Sequence, residues 1–457
     1  MASMRRLATA CTLLAAAAAC SDDGGAIVDA RPIDAVSIDS TGNDPDAATP
    51  MVTVEVSDTG GPLAGVPVQF LNADGTEVAT LPTGADGRAR ATMAAGGSAT
   101  AMIPDPNLGP TRLKTWLGVA PGDVLRARVA GTFTPITIDL TIPANGALGH
   151  YHVDTTCGSS DQLLSPTGAT VNFTMQLDGC GATTDFLVSS DNGDGGPVST
   201  FVQTGVAVAD QLAVTLTAPG GYQALADATQ SYTNLPQTIT FMSFGRLVLS
   251  TTGVPWTWQT SADVVGGTAM GTVQVPTLPA AGAISAVTAE TSDSPWSRHL
   301  LFEAPAGLTY TLDTTGQLLH GFTTSANFDI DTHQVTWTES TDGAAPDLTV
   351  VRLRIDHPAT ESSWLWDVVA PHADTVVTVP TLLGDSAQWN PTASDFVAID
   401  DHLTAKVPGG YAAARPVVFL GDDPTLIGAA LRGRVSIEQQ QILAGRRTRT
   451  AASRARR

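Results

Sequence analysis

The stretch Met51-Val52-Thr53-Val54-Glu55-Val56 alternates apolar and polar residues, and the stretch Gly65-Val66-Pro67-Val68-Gln69-Phe70 follows it after a Gly-Pro turn. Alternation with a period of two places Val52, Val54 and Val56 on one face of a strand. The second stretch repeats this arrangement with two valines and a phenylalanine. Two short strands of this kind, separated by turn residues, predict a β-sandwich.

The rest of the chain has a composition typical of the same class of fold. The 457 residues include 44 Gly and 29 Pro, while aromatic residues make up 5% and charged residues 15%. Frequent Gly and Pro favour many short strands joined by tight turns. The length predicts several domains in succession. We therefore expect an all-β protein built of tandem, immunoglobulin-like β-sandwich domains.

The charge of the chain excludes one class of partner. The formal net charge is -21, with 44 acidic and 23 basic residues. Binding to nucleic acid requires a positively charged surface that neutralises phosphates. We therefore predict no nucleic-acid partner, and no sequence motif points to a cofactor.

The N-terminus has the layout of an export signal. Arg5 and Arg6 precede an apolar stretch of 13 residues, 7–19, that ends in small residues before Cys20. An apolar helix of this length reaches only ~20 Å, which is short of a ~30 Å bilayer core. The stretch therefore predicts a signal peptide over residues 1–19. Ordinary secretion, with an incidental Cys20, is the alternative.

The residues before Cys20 resemble a bacterial lipobox, although Ala17 stands where that motif usually has Leu. The resemblance implies that Cys20 becomes lipidated and that the membrane is a partner through this anchor. Residues 20–50 are acidic and poor in apolar residues, which predicts a disordered tether. Ser21 beside the lipidated Cys20 implies sorting to the outer membrane, on its periplasmic or cell-surface face.

Residues 51–143 form the first predicted domain. This domain begins with a characteristic series of apolar and turn residues. The series consists of Val56, Asp58, Gly61-Pro62-Leu63, Gly65-Val66, Val68, Thr83 and Asp86-Gly87. This series resembles the carboxypeptidase regulatory-like and bacterial immunoglobulin-like modules. The resemblance implies a seven-stranded sandwich that acts as a spacer or an adhesive unit without catalytic groups.

The remaining chain contains an internal repeat. Arg246-Leu247-Val248-Leu249, Trp256-Thr257-Trp258 and Val273-Gln274-Val275-Pro276-Thr277-Leu278 match Arg352-Leu353-Arg354-Ile355, Trp364-Leu365-Trp366 and Val377-Thr378-Val379-Pro380-Thr381-Leu382. The offsets are 106, 108 and 104 residues, which is how a duplicated domain with variable loops behaves. We therefore predict two related β-rich domains at residues 144–290 and 291–430. Residues 51–430 would then hold three sandwich-like units.

The four cysteines fit an exported protein. Cys11 lies in the predicted signal and Cys20 would carry lipid, which leaves Cys157 and Cys180. In an oxidising compartment these two most simply form one disulfide. A reactive thiol or a metal-binding pair is the alternative.

Two sets of side chains are candidates for ligand binding. The Trp-x-Trp pairs Trp256 with Trp258, and Trp364 with Trp366, each place two indoles on one face of a strand, where burial in the core is expected and stacking on sugar rings is the alternative. His150 and His152 share a strand face at a spacing compatible with zinc or copper, but no third ligand is evident, so exposed histidines are expected. The Asp-rich segment 191–196 lacks the spacing of a calcium loop and predicts a polar turn.

Two further patterns concern the last hundred residues. Ser386, Asp401 and His402 contain the residue types of a hydrolase triad, yet their order and spacing do not match that of lipase-like enzymes. Ser436 to Gln439 resembles a capping box, which predicts a short helix over residues 437–444 within a terminal segment, 431–457. Six Arg near the end predict a disordered tail.

The sequence thus predicts a lipid-anchored envelope protein with a structural, adhesive or ligand-binding role and no catalysis. Its ligand would be an envelope protein or a polysaccharide. The alternatives are an envelope hydrolase, a metal-dependent enzyme or a carbohydrate-binding protein that uses the C-terminal β-rich domains.

Overall fold

The computed structural model describes most of the chain between residues 50 and 441. The described residues are 50–58, 61–104, 111–128, 135–146, 149–155, 157–164, 168–178, 182–191, 198–237, 239–249, 255–276, 284–293, 297–303, 307–341, 343–358, 362–416 and 435–441. Within them the regular structure is almost entirely strand, which confirms the predicted all-β class. None of the helices in these ranges has the length and apolar character needed to cross a bilayer.

The first unit, sandwich 1, contains strands β1 to β8. Their bounds are Val52–Asp58, Gly61–Pro62, Pro67–Leu71, Glu77–Pro82, Arg88–Ala91, Gly97–Ile103, Thr111–Val119 and Val124–Arg128. One sheet has β1 between β5 and β8, with β2 pairing at the end of β1, and the other has the order β4-β3-β6-β7. The predicted strand alternation is present, because Val52, Val54 and Val56 are buried between the two sheets.

A glycine is required at one turn of sandwich 1. Gly87 has φ +69°, and a Cβ atom at this position would lie 2.6 Å from the carbonyl oxygen of Val56. The left-handed backbone and the close approach of β1 both exclude a side chain here. The Asp-Gly pair of the sequence motif therefore has a structural role.

The second unit, sandwich 2, contains strands β9 to β15. Their bounds are Ile136–Pro143, Gly149–Thr155, Gly158–Leu164, Thr170–Leu177, Thr183–Asp191, Ser199–Ala207 and Ala213–Thr215. The sheet β12-β9-β15 packs against the sheet β11-β10-β13-β14, and the core includes Tyr151, Phe186 and Phe201. Strand β9 thus belongs to this core, although residues 136–143 were predicted to end the first domain.

The third unit, sandwich 3, contains strands β16 to β22. Their bounds are Gln223–Thr233, Phe241–Leu249, Pro255–Asp263, Ala269–Pro276, Ile284–Asp293, Ser297–Glu303 and Thr309–Asp313. Strand β16 pairs with β19 and β22 in one sheet, and the other sheet runs β18-β17-β20-β21. Tyr232, Phe244 and Tyr310 pack between them.

The fourth unit, sandwich 4, contains strands β23 to β29. Their bounds are Phe322–Asp329, Gln334–Glu339, Leu348–His357, Ser362–Pro371, Val376–Thr378, Phe396–Lys406 and Val435–Gln441. A 3-10 helix, Gly384–Trp389, and a short helix α1, Gly410–Ala414, lie between strands. The sheet β23-β24-β27 packs against β26-β25-β28-β29.

The repeated sequence blocks occupy corresponding strands of sandwiches 3 and 4. In the sheet, the hairpin β17–β18 lies next to β20 and then β21, and the hairpin β25–β26 lies next to β28 and then β29. The register differs by one residue, because Arg246 faces Trp258 whereas Leu353 faces Trp366. The order of the strands in the sheet is therefore repeated. Relative to the Trp-x-Trp strands, however, Arg246 corresponds in register to Leu353 rather than to Arg352.

Two backbone ladders join the units into one 12-stranded sheet. Strands β21 and β29 pair antiparallel. The sheet β18-β17-β20-β21 of sandwich 3 and the sheet β26-β25-β28-β29 of sandwich 4 are therefore related by a pseudo-two-fold axis between β21 and β29. Strands β26 and β7 pair in parallel over six residue pairs, which joins sandwich 4 to sandwich 1. The first and last units are therefore adjacent in space.

Several predictions about organisation differ from the structure. The described residues form four hydrophobic clusters rather than three units, because residues 144–290 contain parts of two separate cores. The helix predicted over 437–444 is wrong, since Val435–Gln441 is strand β29 and the apparent capping box lies inside a ladder. The signal peptide, Cys20 and the Arg-rich tail lie outside the described residues, as does the predicted tether 20–50 apart from its last residue.

Candidate functional site

The solvent-facing side of β10 carries the predicted histidine pair. His150 and His152 alternate with the buried Tyr151 and Val153, as the strand period requires. The neighbouring strand β11 places Asp161 directly opposite His152. The structure thus places His150 and His152 on one face of β10, with His150 exposed and His152 half-buried.

Each imidazole on this face is engaged by a different carboxylate. His150 Nε2 lies 2.6 Å from Asp161 Oδ1, and its Nδ1 lies 3.8 Å from Asp191 Oδ2. His152 Nε2 lies 3.0 Å from Asp154 Oδ2, and this hydrogen bond raises the pKa of His152. The exposed face of β10 therefore carries a set of His–Asp pairs. Within the described residues, no group of three or more His, Cys, Asp or Glu side chains is arranged to hold a metal ion.

A second cluster of titratable residues lies inside sandwich 4. His402, on β28, is fully buried, and its ring packs 4.5 Å from the ring centroids of both Phe322 and Trp337. Neither ring nitrogen of His402 has a hydrogen-bond partner in the described part of the chain. Burial, reinforced by the nearby His372, lowers the pKa of His402 to about 3. The imidazole is therefore neutral at physiological pH.

Glu339 organises the polar residues next to this ring. Its Oε1 accepts a hydrogen bond from Trp337 Nε1 at 2.6 Å, and its Oε2 lies 3.4 Å from His372 Nε2. His372 Nδ1 lies 2.8 Å from the hydroxyl of Thr349. His320 lies at the outer side of the cluster, 3.8 Å from Glu339. These contacts fix the Glu339 carboxylate at one end of the sandwich.

The hydrolase constellation is not assembled. Ser386 lies in the 3-10 helix, where its backbone N–H donates to Leu383, while His402 points into the aromatic core. A nucleophilic serine requires a hydrogen bond to its base, and the His402 nitrogens make none in the described residues. A histidine kept neutral by burial among aromatic rings fits a core position better than a general base.

The Trp-x-Trp pair of sandwich 4 belongs to the core. Trp364 is 3% exposed and Trp366 is fully buried, so sugar stacking by these two indoles, the alternative considered from the sequence, is wrong. Trp366 Nε1 donates to Thr115 Oγ1 of sandwich 1 at 2.9 Å. The side chains of Trp256 and Trp258 lie outside the described residues.

Cys157 is buried at the turn between β10 and β11. The backbone N–H of Asp178 donates to the Cys157 carbonyl oxygen at 2.7 Å, so the chain passes beside Cys157 two residues before Cys180. Cys180 itself lies outside the described residues, as do residues 192–196 of the Asp-rich segment. The disulfide remains a prediction, with a backbone geometry that favours it.

The seam between sandwiches 1 and 4 is a set of contacts that the sequence did not reveal. The amide of Gln69 makes two hydrogen bonds, each 3.0 Å, to the backbone of Leu383. The Tyr411 hydroxyl donates to the carbonyl oxygen of Leu117 at 2.5 Å. Arg415 Nη2 lies 2.6 Å from the carboxylate of Asp123. Partners about 300 positions apart leave no local pattern from which to infer them.

A buried carboxylate completes this seam. Asp367, on β26, is fully buried and accepts a 2.7 Å hydrogen bond from Arg352 Nε. Arg112, on the adjoining strand β7, lies 3.8 Å from the same carboxylate. A buried carboxylate needs such cationic partners, because burial without them is strongly unfavourable. The seam is therefore a specific interface rather than a chance contact of two domains.

No family model and no curated protein matches the chain. Among solved structures, the Bacillus anthracis TIE protein shares 10% identity at a TM-score of 0.16, with 58% of this chain and 49% of that one covered. The shaft pilin SpaA from Lactobacillus rhamnosus GG shares 12% identity at a TM-score of 0.15, covering 38% of this chain and 99% of the pilin. A streptococcal ancillary pilin shares 10% identity at 0.16, covering 58% of this chain and 98% of the pilin. TM-scores this low do not identify a common fold or a function.

Proposed function

We propose that this protein is an exported, lipid-anchored component of a bacterial cell envelope, with a structural or adhesive role and no catalytic centre. The observation that carries the structural role is the continuous sheet that joins sandwiches 1, 3 and 4 through the β7–β26 and β21–β29 ladders. Backbone ladders between units resist bending, whereas flexible linkers between domains allow relative motion. The body is thus suited to act as a rigid scaffold.

The anchor in this proposal rests on the sequence before Cys20. A basic start, a short apolar stretch and small residues before a cysteine are followed by an acidic segment. A tether of low hydrophobicity would hold the folded body away from the membrane. The resemblance to a lipobox implies that the lipid is attached at Cys20, and outer-membrane location is proposed on Ser21.

The test of the anchor is the variant Cys20→Ala in the native host, fed with an alkyne-labelled fatty acid. The wild-type chain should incorporate the label and fractionate with membranes, and the variant should do neither. Cys157→Ala, which removes a cysteine of the body, is the matched control and should remain labelled. A variant that keeps both the label and the membrane fraction contradicts the proposal.

The enzyme alternatives lack a supporting observation. The Ser386 and His402 side chains are not hydrogen-bonded to each other, and each histidine of the β10 face is engaged by its own carboxylate. A carbohydrate-binding role would need aromatic side chains other than the buried Trp364 and Trp366. Hydrolysis abolished by Ala at either Ser386 or His402, in a variant that remains folded, would overturn the non-catalytic proposal.

A further inference from the structure

The outer face of one sheet of sandwich 1 carries arginine side chains. Strand β1 lies between β5 and β8, and its Glu55 has Arg88 as register partner on one side and Arg126 on the other. Arg90 lies opposite Thr53, so the three arginines share the solvent-facing side of this sheet. Their side chains are between 39% and 48% exposed. We call this surface, formed by the three arginines, the arginine face.

Nearby carboxylates neutralise only part of the arginine face. Glu55 is shared, with Arg88 Nη2 at 2.6 Å and Arg126 Nε at 3.0 Å, and Arg90 Nη2 lies 2.8 Å from Asp86 Oδ2. In these contacts three guanidinium groups share two carboxylates, which leaves one positive charge in excess. A guanidinium group has five N–H donors, and exposed ion pairs of this kind contribute only about 0–1 kcal/mol each. The arginine face therefore has the capacity to engage further carboxylates.

The charge of the body is distributed unevenly between sandwich 1 and the other units. Residues 51–128 include 7 acidic and 6 basic residues, a net charge of -1. Residues 129–445 include 30 acidic and 8 basic residues, a net charge of -22. An acidic segment is therefore repelled by most of the body, and sandwich 1 is the unit that repels it least.

An acidic segment joins the body beside the arginine face. The predicted tether, residues 20–50, contains seven Asp and one Arg, a net charge of -6. It joins sandwich 1 at Met51, two residues before Thr53, which is the register partner of Arg90. The five residues from Asp46 to Met51 span at most about 17 Å when extended. The carboxylate of Asp46 is therefore within reach of the Arg90 guanidinium, and the aspartates that precede it have a longer reach.

We infer that the arginine face of sandwich 1 binds the acidic tether, residues 20–50, of the same chain. Covalent attachment makes this pairing intramolecular, with an effective concentration of about millimolar, so several weak ion pairs act together. The opposite charges and the shared point of attachment favour this occupant over a separate polyanion. The inference does not depend on lipid attachment at Cys20. Where the lipid is attached, the pairing would shorten the tether and hold sandwich 1 closer to the membrane than an extended tether would.

The scarcity of lysine gives a sharp test. The chain has two lysines, of which Lys114 is buried and Lys406 is exposed. In the full chain, with Cys20→Ala to remove the proposed lipid, Arg90→Lys adds a reactive amine to the arginine face and keeps the charge. A water-soluble carbodiimide then joins this amine to any carboxylate in contact with it, and mass spectrometry of the fragmented peptides locates the amide bonds. We expect bonds to tether aspartates at low ionic strength, reduced at least about fivefold in about 0.5 M salt, because salt screens exposed pairs.

Two controls lie in the same molecule. Asp86 contacts the side chain of residue 90 and should be joined to it in every experiment, and Lys406 of sandwich 4 should not be joined to the tether. Circular dichroism and the melting temperature verify that the variant is folded. A bond to Asp86 without any bond to the tether overturns the inference, as does a tether joined equally to Lys406. Binding to phosphatidylglycerol vesicles that Arg126→Gln abolishes, in a chain whose tether is not joined to residue 90, would assign the arginine face to a lipid surface instead.

Discussion

Replacing His402 with Phe should change how the stability of sandwich 4 depends on pH. The imidazole is fully buried between Phe322 and Trp337 and has no hydrogen-bond partner among the described residues. A phenyl ring has nearly the same shape and carries no polar atoms. The substitution therefore removes a titratable group while the packing is retained, and it relieves the cost of two buried, unsatisfied nitrogens.

The magnitude follows from the pKa of His402, which burial lowers from 6.5 to about 3. Above pH 6.5 the ring is neutral in both the folded and the unfolded chain, so it contributes no pH dependence. Below pH 6.5 the unfolded chain binds a proton that the folded chain does not. The free energy of unfolding then falls with a slope that approaches about 1.4 kcal/mol per pH unit, which amounts to about 2.3 kcal/mol between pH 6.5 and 4.5.

Urea unfolding at pH 7.5, 6.5, 5.5 and 4.5, followed by tryptophan fluorescence, measures this effect. The wild-type chain should lose stability over this range by more than His402→Phe, and the difference should widen as the pH falls. His372, Glu339 and His320 are present in both chains, so the two chains differ only in the buried ring at position 402. The exposed His150→Gln serves as the control and should not reproduce the change. A wild-type-to-variant difference that stays constant from pH 7.5 to 4.5 would refute the reasoning.

Three further outcomes follow from the structure. Intact-mass analysis after alkylation should detect thiols at Cys157 and Cys180 only after reduction, and native labelling of either cysteine would contradict the disulfide. Trp366→Phe and Thr115→Val should each lower the free energy of unfolding by about 1–2 kcal/mol. The loss in the double variant should be less than the sum of the two, because both substitutions remove the same hydrogen bond across the seam. Fully additive losses would show that this hydrogen bond contributes nothing. Gly87→Ala should lower the free energy of unfolding, measured by chemical denaturation, by about 2–4 kcal/mol. The reason is that φ is +69° and the added Cβ would lie 2.6 Å from the Val56 carbonyl oxygen. An unchanged denaturation midpoint would mean that the turn relaxes freely.

Features with a local sequence signal could be predicted, and features made by distant partners could not. The alternation of Val52, Val54 and Val56 predicted β1 because one strand face meets the core. The capping-box pattern at Ser436 wrongly predicted a helix, because β29 pairs on both sides, with β21 and β28, and ladder hydrogen bonds outweigh a weak helix signal.

Buried Trp366 was predicted as a core residue, but its hydrogen-bond partner Thr115 lies 251 positions away. The number of cores was missed because β16 extends from the sheet of sandwich 2 into that of sandwich 3, so no linker composition separates them.

The seam between sandwiches 1 and 4 also constrains the order in which the parts of the chain fold. Sandwich 1 contains both of its own sheets, yet its core cluster includes Leu348, Val369 and Leu403 of sandwich 4. The β7 edge cannot be covered until residues 362–371 are available, and contacts of such long sequence separation form late because a large loop must close first. A chain that is exported before folding reaches its compartment with both partners present. The proposed export is therefore compatible with this topology. Removal of sandwich 4 would leave β7 as an open edge and part of the first core exposed to water.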